Sequence, residues 1–191
     1  MIVLMGKSCS GKTSVLQELV EMGYQRTVTY TTRPKRPLEI NGKDYIFLND
    51  DYFESLLRGD FFAETDSFKT ADRVWKYGSS RASYENSDNR VIILTPQGIR
   101  HIKDKYPNLN MTVVYLKTPE YIIWSRMKMR GDNMKEGLRR LIHDRNDFKN
   151  AKELADVVIM NDGSYSISDI AKKIRRVLLL TTHGLKTDGL I

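Results

Sequence analysis

The chain has 191 residues, a formal net charge of +7, 40% hydrophobic and 29% charged residues, and one cysteine. This is enough for one domain with a sizeable core, and it excludes both a disordered and a membrane protein. No apolar stretch approaches the roughly 20 residues that cross a bilayer, Cys9 alone excludes an internal disulfide and fits the cytoplasm, and His101, His143 and His183 lack metal-ligand spacing.

Ile2-Val3-Leu4-Met5 reads as a buried strand, not a signal peptide, because it runs straight into Gly6-Lys7-Ser8-Cys9-Ser10-Gly11-Lys12-Thr13. That stretch matches G-x-x-x-x-G-K-[ST], and Thr13 to Glu21 reads as the helix behind it. Glycines let the backbone wrap an anion, successive N–H groups point inward, and the helix N-terminus adds positive potential. Lys12 then reaches the outer phosphates and Thr13 offers a hydroxyl to Mg²⁺. Gly6, Ser8, Cys9, Ser10, Gly11, Lys12, Thr13 and Ser14 are therefore expected to bind a nucleoside triphosphate such as ATP. Cys9 has two readings: a small residue tolerated in the loop, or a thiol whose pKa the helix end and Lys12 lower.

Between residues 27 and 90 the pattern changes. Thr27–Thr31, Tyr45–Leu48, Phe61–Thr65 and Val74–Tyr77 are short, aromatic and β-branched, Asn41-Gly42 marks a hairpin-like turn, and Asp51 with Glu54 resembles a capping box for a helix through Leu57. This is expected to be a small, mostly antiparallel insertion. Beyond it, the apolar runs Val91–Leu94, Met111–Leu116 and Val157–Met160 read as strands separated by helices, the signature of a parallel sheet covered on both faces. Helices are expected from Pro96, from Thr118-Pro119-Glu120 (Thr118 as N-cap) to Arg130, over Lys135–Lys152 and over Ile167–Leu179, with a frayed tail at 181–191. The fold class is α/β, a P-loop NTPase read as one domain over 1–180: core at 1–26 and 91–180, insertion at 27–90, helical lid at 130–140.

Thr31-Thr32-Arg33-Pro34-Lys35-Arg36-Pro37 places two arginines three apart, able to converge on one phosphate with bidentate forks. Tyr45 adds a hydroxyl donor, while an exposed basic loop is the plainer alternative. Here the chain resembles the guanylate kinase family, whose acceptor signature T-T-R-x-x-R…G-E-x-x-G-x-x-Y-x-F is nearly supplied by Thr31 to Phe47, with Leu38 in place of the first Gly. The resemblance continues through Glu64, Tyr77-Gly78-Ser79, Gln97-Gly98, Arg126-x-x-x-Arg130-Gly131, Arg140-Leu141 and Val158-Ile159-Met160-Asn161-Asp162.

The resemblance implies that Arg33, Arg36, Tyr45 and Tyr77 hold the acceptor monophosphate, that Thr29, Glu64 and Ser79 face its base, that Arg130 and Arg140 are lid arginines, and that Asn161 contacts the donor adenine. Catalysis would rest on Lys12, Arg33, Arg130 and Arg140, with Thr13 as the protein's metal contact. Where the family has an acid-x-acid pair before Q-G, this chain has Ile93-Leu94-Thr95. Thr95 keeps one hydrogen bond to the base without the charge, which opens base choice. The interval from Glu64 to Tyr77 is also longer than the family's, so Asp66 or Asp72 is a candidate replacement acid. Three functions follow: a cytoplasmic kinase of GMP or dGMP, a (deoxy)nucleoside monophosphate kinase of other or broader base preference, and a non-catalytic phosphopeptide-binding module. The expected partners are small nucleotides rather than nucleic acid or membrane, in a monomer or homodimer.

Overall fold

The structure is a computed structural model that describes residues 1–70, 73–85 and 87–182. In chain order its elements are β1 (Ile2–Met5), α1 (Lys12–Glu21), β2 (Gln25–Arg26), β3 (Tyr30–Thr31), β4 (Ile46–Phe47), α2 (Asp50–Arg58), β5 (Phe62–Lys69), β6 (Val74–Ser80), a 3-10 turn (Arg81–Ser83) and β7 (Arg90–Ile93). There follow α3 (Pro96–Lys105), β8 (Thr112–Lys117), α4 (Glu120–Met129), α5 (Met134–Asp147), α6 (Ala151–Leu154), β9 (Val157–Met160) and α7 (Ile167–Thr182). They group into two compact units: residues 1–26, 89–96 and from 111 onward, and residues 27–88 with 97–110. The helix after β7 thus groups with the insertion, where the sequence reading gave it to the core. Asp72 and the tail beyond Thr182 lie outside the described residues.

The first unit is a five-stranded parallel sheet in the order β2-β7-β1-β8-β9. Its register runs Ile2 to Val91 on one side of β1 and Ile2 to Thr112 on the other. All four residues of β1 are buried, which suits a central strand packed on both faces. On one face, α1 and α7 contribute Val15, Leu16, Leu19, Ile170, Ala171, Ile174 and Val177 to a cluster that includes Ile2, Leu4, Val114, Leu116 and Ile159. Each buried Val, Leu or Ile among them is worth about 1.5–3 kcal/mol relative to exposure. Ile93, the residue in place of the family's first acid, packs half-buried against this same cluster.

The second unit carries a mixed sheet, β4-β3-β6-β5. β3 pairs parallel with β4 and antiparallel with β6, and β6 pairs antiparallel with β5. Two of the three pairings are antiparallel, as expected. The β3–β4 pairing is not, so Asn41-Gly42 does not make a hairpin between them. Instead Gly42, at φ +79°, turns a loop that returns its own N–H to the Tyr45 carbonyl at 2.9 Å. The residues that lengthen the interval from Glu64 to Tyr77 extend one hairpin: β5 and β6 stay in register out to Lys69 and Val74, and Thr70 and Arg73 close it. Phe53 of α2 stacks on Phe62 at 4.6 Å, and Phe62 fills the space over Gly78, where a Cβ would lie 2.8 Å from its ring.

Three local expectations differ. α2 begins two residues earlier than the capping box implied, with Asn49 accepting from Tyr52 N at 2.7 Å, while Glu54 turns to Lys76. α4 has Pro119 at its N-cap position, and Thr118 sends its hydroxyl to the Ser10 carbonyl at 3.2 Å. The single helix expected over 135–152 is two, α5 and α6, parted at Phe148, whose ring stacks on Tyr115.

Candidate active site

The phosphate loop lies in the first unit, between β1 and α1. Gly6 must lack a side chain because a Cβ would sit 2.8 Å from the Leu116 carbonyl oxygen and 2.5 Å from Ser10 Oγ. Gly11 caps α1 at φ +93°, and a Cβ there would also press on Asn161 Nδ2 at 2.6 Å. Lys12 Nζ donates to the carbonyls of Gly6 at 2.6 Å and Lys7 at 2.8 Å, so the ammonium is held along the loop. Burial lowers its pKa to about 8, against the opposing pull of Asp144 and Cys9. Thr13 and Ser14 are exposed on the first turn of α1.

Three side chains from far along the chain brace this loop. Asn161, almost fully buried, donates through Nδ2 to the Ser10 carbonyl at 2.8 Å and accepts from Arg126 Nη2 at 3.2 Å. Arg126 Nη1 reaches the Cys9 carbonyl at 3.2 Å. Asp144 of α5, also buried, accepts the Ser8 N–H at 2.7 Å, placing a carboxylate on an amide of the anion-binding loop. The amide of Asn161, expected at the donor adenine, is engaged with the loop itself. Sequence reasoning gave no role to Arg126 or Asp144. Asp144 stands four residues after Arg140, on the same helical face, which is the one signal that pointed to it.

Cys9 adopts φ +56°, a left-handed conformation rare for a non-glycine residue, and packs against Ile123, Met127 and Leu141. Burial raises its thiol pKa and outweighs the nearby Arg130 and Lys12, so the lowered, oxidisable thiol is not what forms here. The small-residue reading of Cys9 agrees with this packing.

Arg130 and Arg140, expected as lid arginines, belong to the same unit, and each is held by a nearby acid. Arg130 donates through Nε to Asp132 Oδ1 at 2.9 Å and through Nη2 to the same carboxylate. Arg140 donates through Nε to Glu136 Oε1 at 3.1 Å, with Asp132 Oδ2 4.0 Å from its Nη1. Thr95 is exposed at the end of β7.

In the second unit Arg33 is paired end-on with Glu39, Nη2 to Oε1 at 2.7 Å and Nη1 to Oε2 at 3.0 Å. Its guanidinium carbon lies 5.4 Å from the Tyr45 ring centre and 5.7 Å from that of Phe47, while the Tyr45 and Tyr77 rings meet at 6.1 Å. Burial opposes the charge on Arg33, but Glu39, Tyr77 and Tyr45 outweigh it and raise the pKa. Glu39 also accepts the Arg36 N–H at 2.8 Å, with Arg36 Nη1 4.0 Å from Oε1. Burial would raise the Glu39 pKa, yet Arg33 and Arg36 together leave it lowered. Arg33 thus gathers Tyr45 and Tyr77 on its own account and Arg36 through Glu39, a residue the sequence pattern contained without a role. Glu64 on β5 is buried and accepts from Ser79 Oγ of β6 at 2.6 Å. Burial raises its pKa to about 7, helped by Asp66 and opposed by Ser79. Thr29 precedes β3, half-buried, its carbonyl bonded to Ile46 N at 2.9 Å.

A family model described as guanylate kinase matches residues 1–179. The chain belongs to the guanylate kinase family. A guanylate kinase of Homo sapiens is 31% identical over 175 residues, covering 84% of each chain. One of Wolinella succinogenes is 32% identical over 170 residues, covering 84% of this chain and 76% of its own. The crystal structure of a guanylate kinase from Anaplasma phagocytophilum superposes with a TM-score of 0.70 at 22% identity, covering all of this chain and 90% of that one, which supports the P-loop α/β fold. As a guanylate kinase family member, the chain is an ATP-dependent nucleoside monophosphate kinase.

Proposed function

We propose that this kinase transfers the γ-phosphoryl group of ATP to GMP or dGMP, with Mg²⁺ accompanying the donor. The cluster around Arg33 carries the reading. A planar fork that holds the Glu39 carboxylate end-on is shaped for an oxyanion, and three bonds occupy only part of the five N–H groups of Arg33. The remainder, with Arg36 and the hydroxyls of Tyr45 and Tyr77, suits one phosphate monoester. An enzyme that only hydrolysed ATP would have no use for that second oxyanion site.

The chemistry needs no strong base, since an acceptor phosphate with a second pKa near 6 is largely ionised at neutral pH. The obstacles are repulsion between two anions and loss of ATP to water. Lys12 and the loop amides of Ser8 to Thr13 bind the donor phosphates; Arg33 and Arg36 neutralise the acceptor. Arg130 and Arg140 exchange Asp132 and Glu136 for phosphoryl oxygens as charge spreads over them. Asn161 and Arg126 keep the loop in shape behind the donor. Glu64, with Ser79 and Thr29, reads the base.

Among the described residues no group of three or more His, Cys, Asp or Glu could hold a metal ion. The donor set therefore fits an ion that arrives on the nucleotide, with the exposed Thr13 hydroxyl as its protein contact. When bound, Mg²⁺ neutralises charge on the β- and γ-phosphates.

Ile93, sunk against the apolar core, and the uncharged Thr95 favour a second acceptor set with other bases. A panel of GMP, dGMP, AMP, CMP and dTMP with Mg-ATP, read by ADP release, separates these. Preference for GMP or dGMP is expected. ADP release that no monophosphate raises above the ATP-only rate would overturn the kinase reading. No helix among the described residues is long and apolar enough to cross a membrane. We read the enzyme as a cytoplasmic monomer or homodimer acting on free nucleotides.

A further inference from the structure

Behind Glu64 lies a residue with no role in anything above. Tyr84 follows the 3-10 turn after β6; its side chain is buried, and its hydroxyl oxygen is 2.7 Å from Ser79 Oγ. Ser79 Oγ is in turn 2.6 Å from Glu64 Oε1. The three groups form one buried chain, Tyr84–Ser79–Glu64. Proton counting fixes its direction. A carboxylate only accepts, and a serine hydroxyl has one hydrogen, so an ionised Glu64 takes the Ser79 proton and Tyr84 must donate to Ser79. Burial raises the Tyr84 pKa far above its usual value, so this donor persists at every physiological pH.

We propose that Tyr84 is a positioning residue for base recognition, holding Glu64 through Ser79 as an oriented carboxylate whose second oxygen accepts the ring N–H of the acceptor base. This rests on the reading of Glu64 as the residue that faces the base. Ser79 gives its only hydrogen to Glu64 and so acts on the base through that carboxylate. Selectivity then rests on what the base donates. The class of acceptor favoured is a base with a ring N–H, such as guanine or hypoxanthine, over adenine or cytosine. Acting through Ser79, Tyr84 favours the charged form of Glu64, against the like charge of Asp66.

The charged and titratable groups facing this chain are Asp66 on β5, which opposes ionisation of Glu64, and His101, Asp104 and Lys105 of α3, which share a groove with it. Tyr106 stacks on the Tyr84 ring at 5.6 Å, and α2 offers that groove only Leu57.

Tyr84→Phe keeps the ring stack and removes only the hydroxyl. The KM for GMP at pH 7 is expected to rise about five- to tenfold, the effect of one lost buried hydrogen bond. The KM for ATP should hold and kcat should change less than twofold. The defect should shrink towards pH 9, where Glu64 is ionised without help, and grow towards pH 6. Ser79→Ala should cost a similar factor, and the double variant little more than either single one, because both cut one chain. Glu64→Gln separates the layers. If it leaves the KM for GMP unchanged, Glu64 does not face the base and the underlying reading fails. If it raises that KM while Tyr84→Phe does not, or if the Tyr84→Phe defect is independent of pH or falls equally on ATP, the role of Tyr84 is refuted by itself.

Discussion

The two cationic regions are built in opposite ways. In the donor loop the backbone does the shaping: Gly11 and Cys9 take left-handed conformations, and Lys12 is tied to carbonyls of its own loop. In the acceptor sheet the side chains do it: Arg33 is fixed by Glu39 and ringed by Tyr45 and Phe47, and Glu64 by Ser79. A backbone cradle recognises phosphate and nothing else about the molecule, so it suits a donor shared by many enzymes. A side-chain cradle can be altered one group at a time, which suits the acceptor choice proposed for it.

This contrast is broken most severely at Lys12. Lys12→Ala removes the cation tied to the Gly6 and Lys7 carbonyls of the loop and should lower kcat/KM on the order of a thousandfold. Steady-state kinetics beside a thermal melt check that the loss exceeds any loss of folded protein. Arg33→Ala should do its damage on the other substrate. The KM for GMP is expected to rise roughly a hundredfold, as charge-assisted hydrogen bonds to phosphate are lost. The KM for ATP should stay within about twofold. Equal losses for both substrates would mean that the two regions are not the separate donor and acceptor sites assigned above.

The same contrast governs what could be read in advance. The donor loop and β1 were legible because a backbone motif leaves its glycines in the sequence, and because a strand buried on both faces is a plain apolar run. β2 left no such trace: Gln25 and Arg26 are polar and half or fully exposed, and only their pairing with Arg90 and Val91 makes them a strand. The break between α5 and α6 follows a ring contact of Phe148 with Tyr115, not a glycine or proline. Arg126 and Asp144 were missed because they act on backbone atoms 117 and 136 residues away. Glu39 was visible as a letter of the signature, yet nothing local showed that Arg33 and Arg36 would both close on it.

A pH profile sharpens the comparison without mutation. The Glu64 pKa is raised to about 7, so the carboxylate proposed to accept from the base is lost as pH falls through that value. The Lys12 pKa is lowered to about 8, so the cation that meets the donor is lost as pH rises through that value. The kcat/KM for GMP should therefore fall on the acid side and the kcat/KM for ATP on the alkaline side, each by up to about tenfold per pH unit at its limb. The acceptor phosphate also titrates near 6. Glu64→Gln should accordingly leave only that lower limb, and a profile it does not move would remove Glu64 from base recognition.

The smallest and most pointed test is at Asp144, where the donor loop departs from a purely backbone design. Its carboxylate takes the Ser8 N–H and also helps keep Lys12 protonated. These two effects oppose each other when ATP arrives. The negative charge competes with phosphate for the loop, yet it maintains the cation that phosphate needs. Asp144→Asn keeps an acceptor for Ser8 and removes only the charge. Near pH 7, where Lys12 remains largely protonated, repulsion is relieved and the KM for ATP should fall about fivefold at low ionic strength. Without Asp144 the Lys12 pKa drops below about 8, so its charge is lost earlier as pH rises. By pH 9 the variant should bind ATP more weakly than the parent, and the two curves of KM against pH should cross. Parallel curves would show that Asp144 only shapes the loop; a crossing would show that its charge sets the protonation of Lys12.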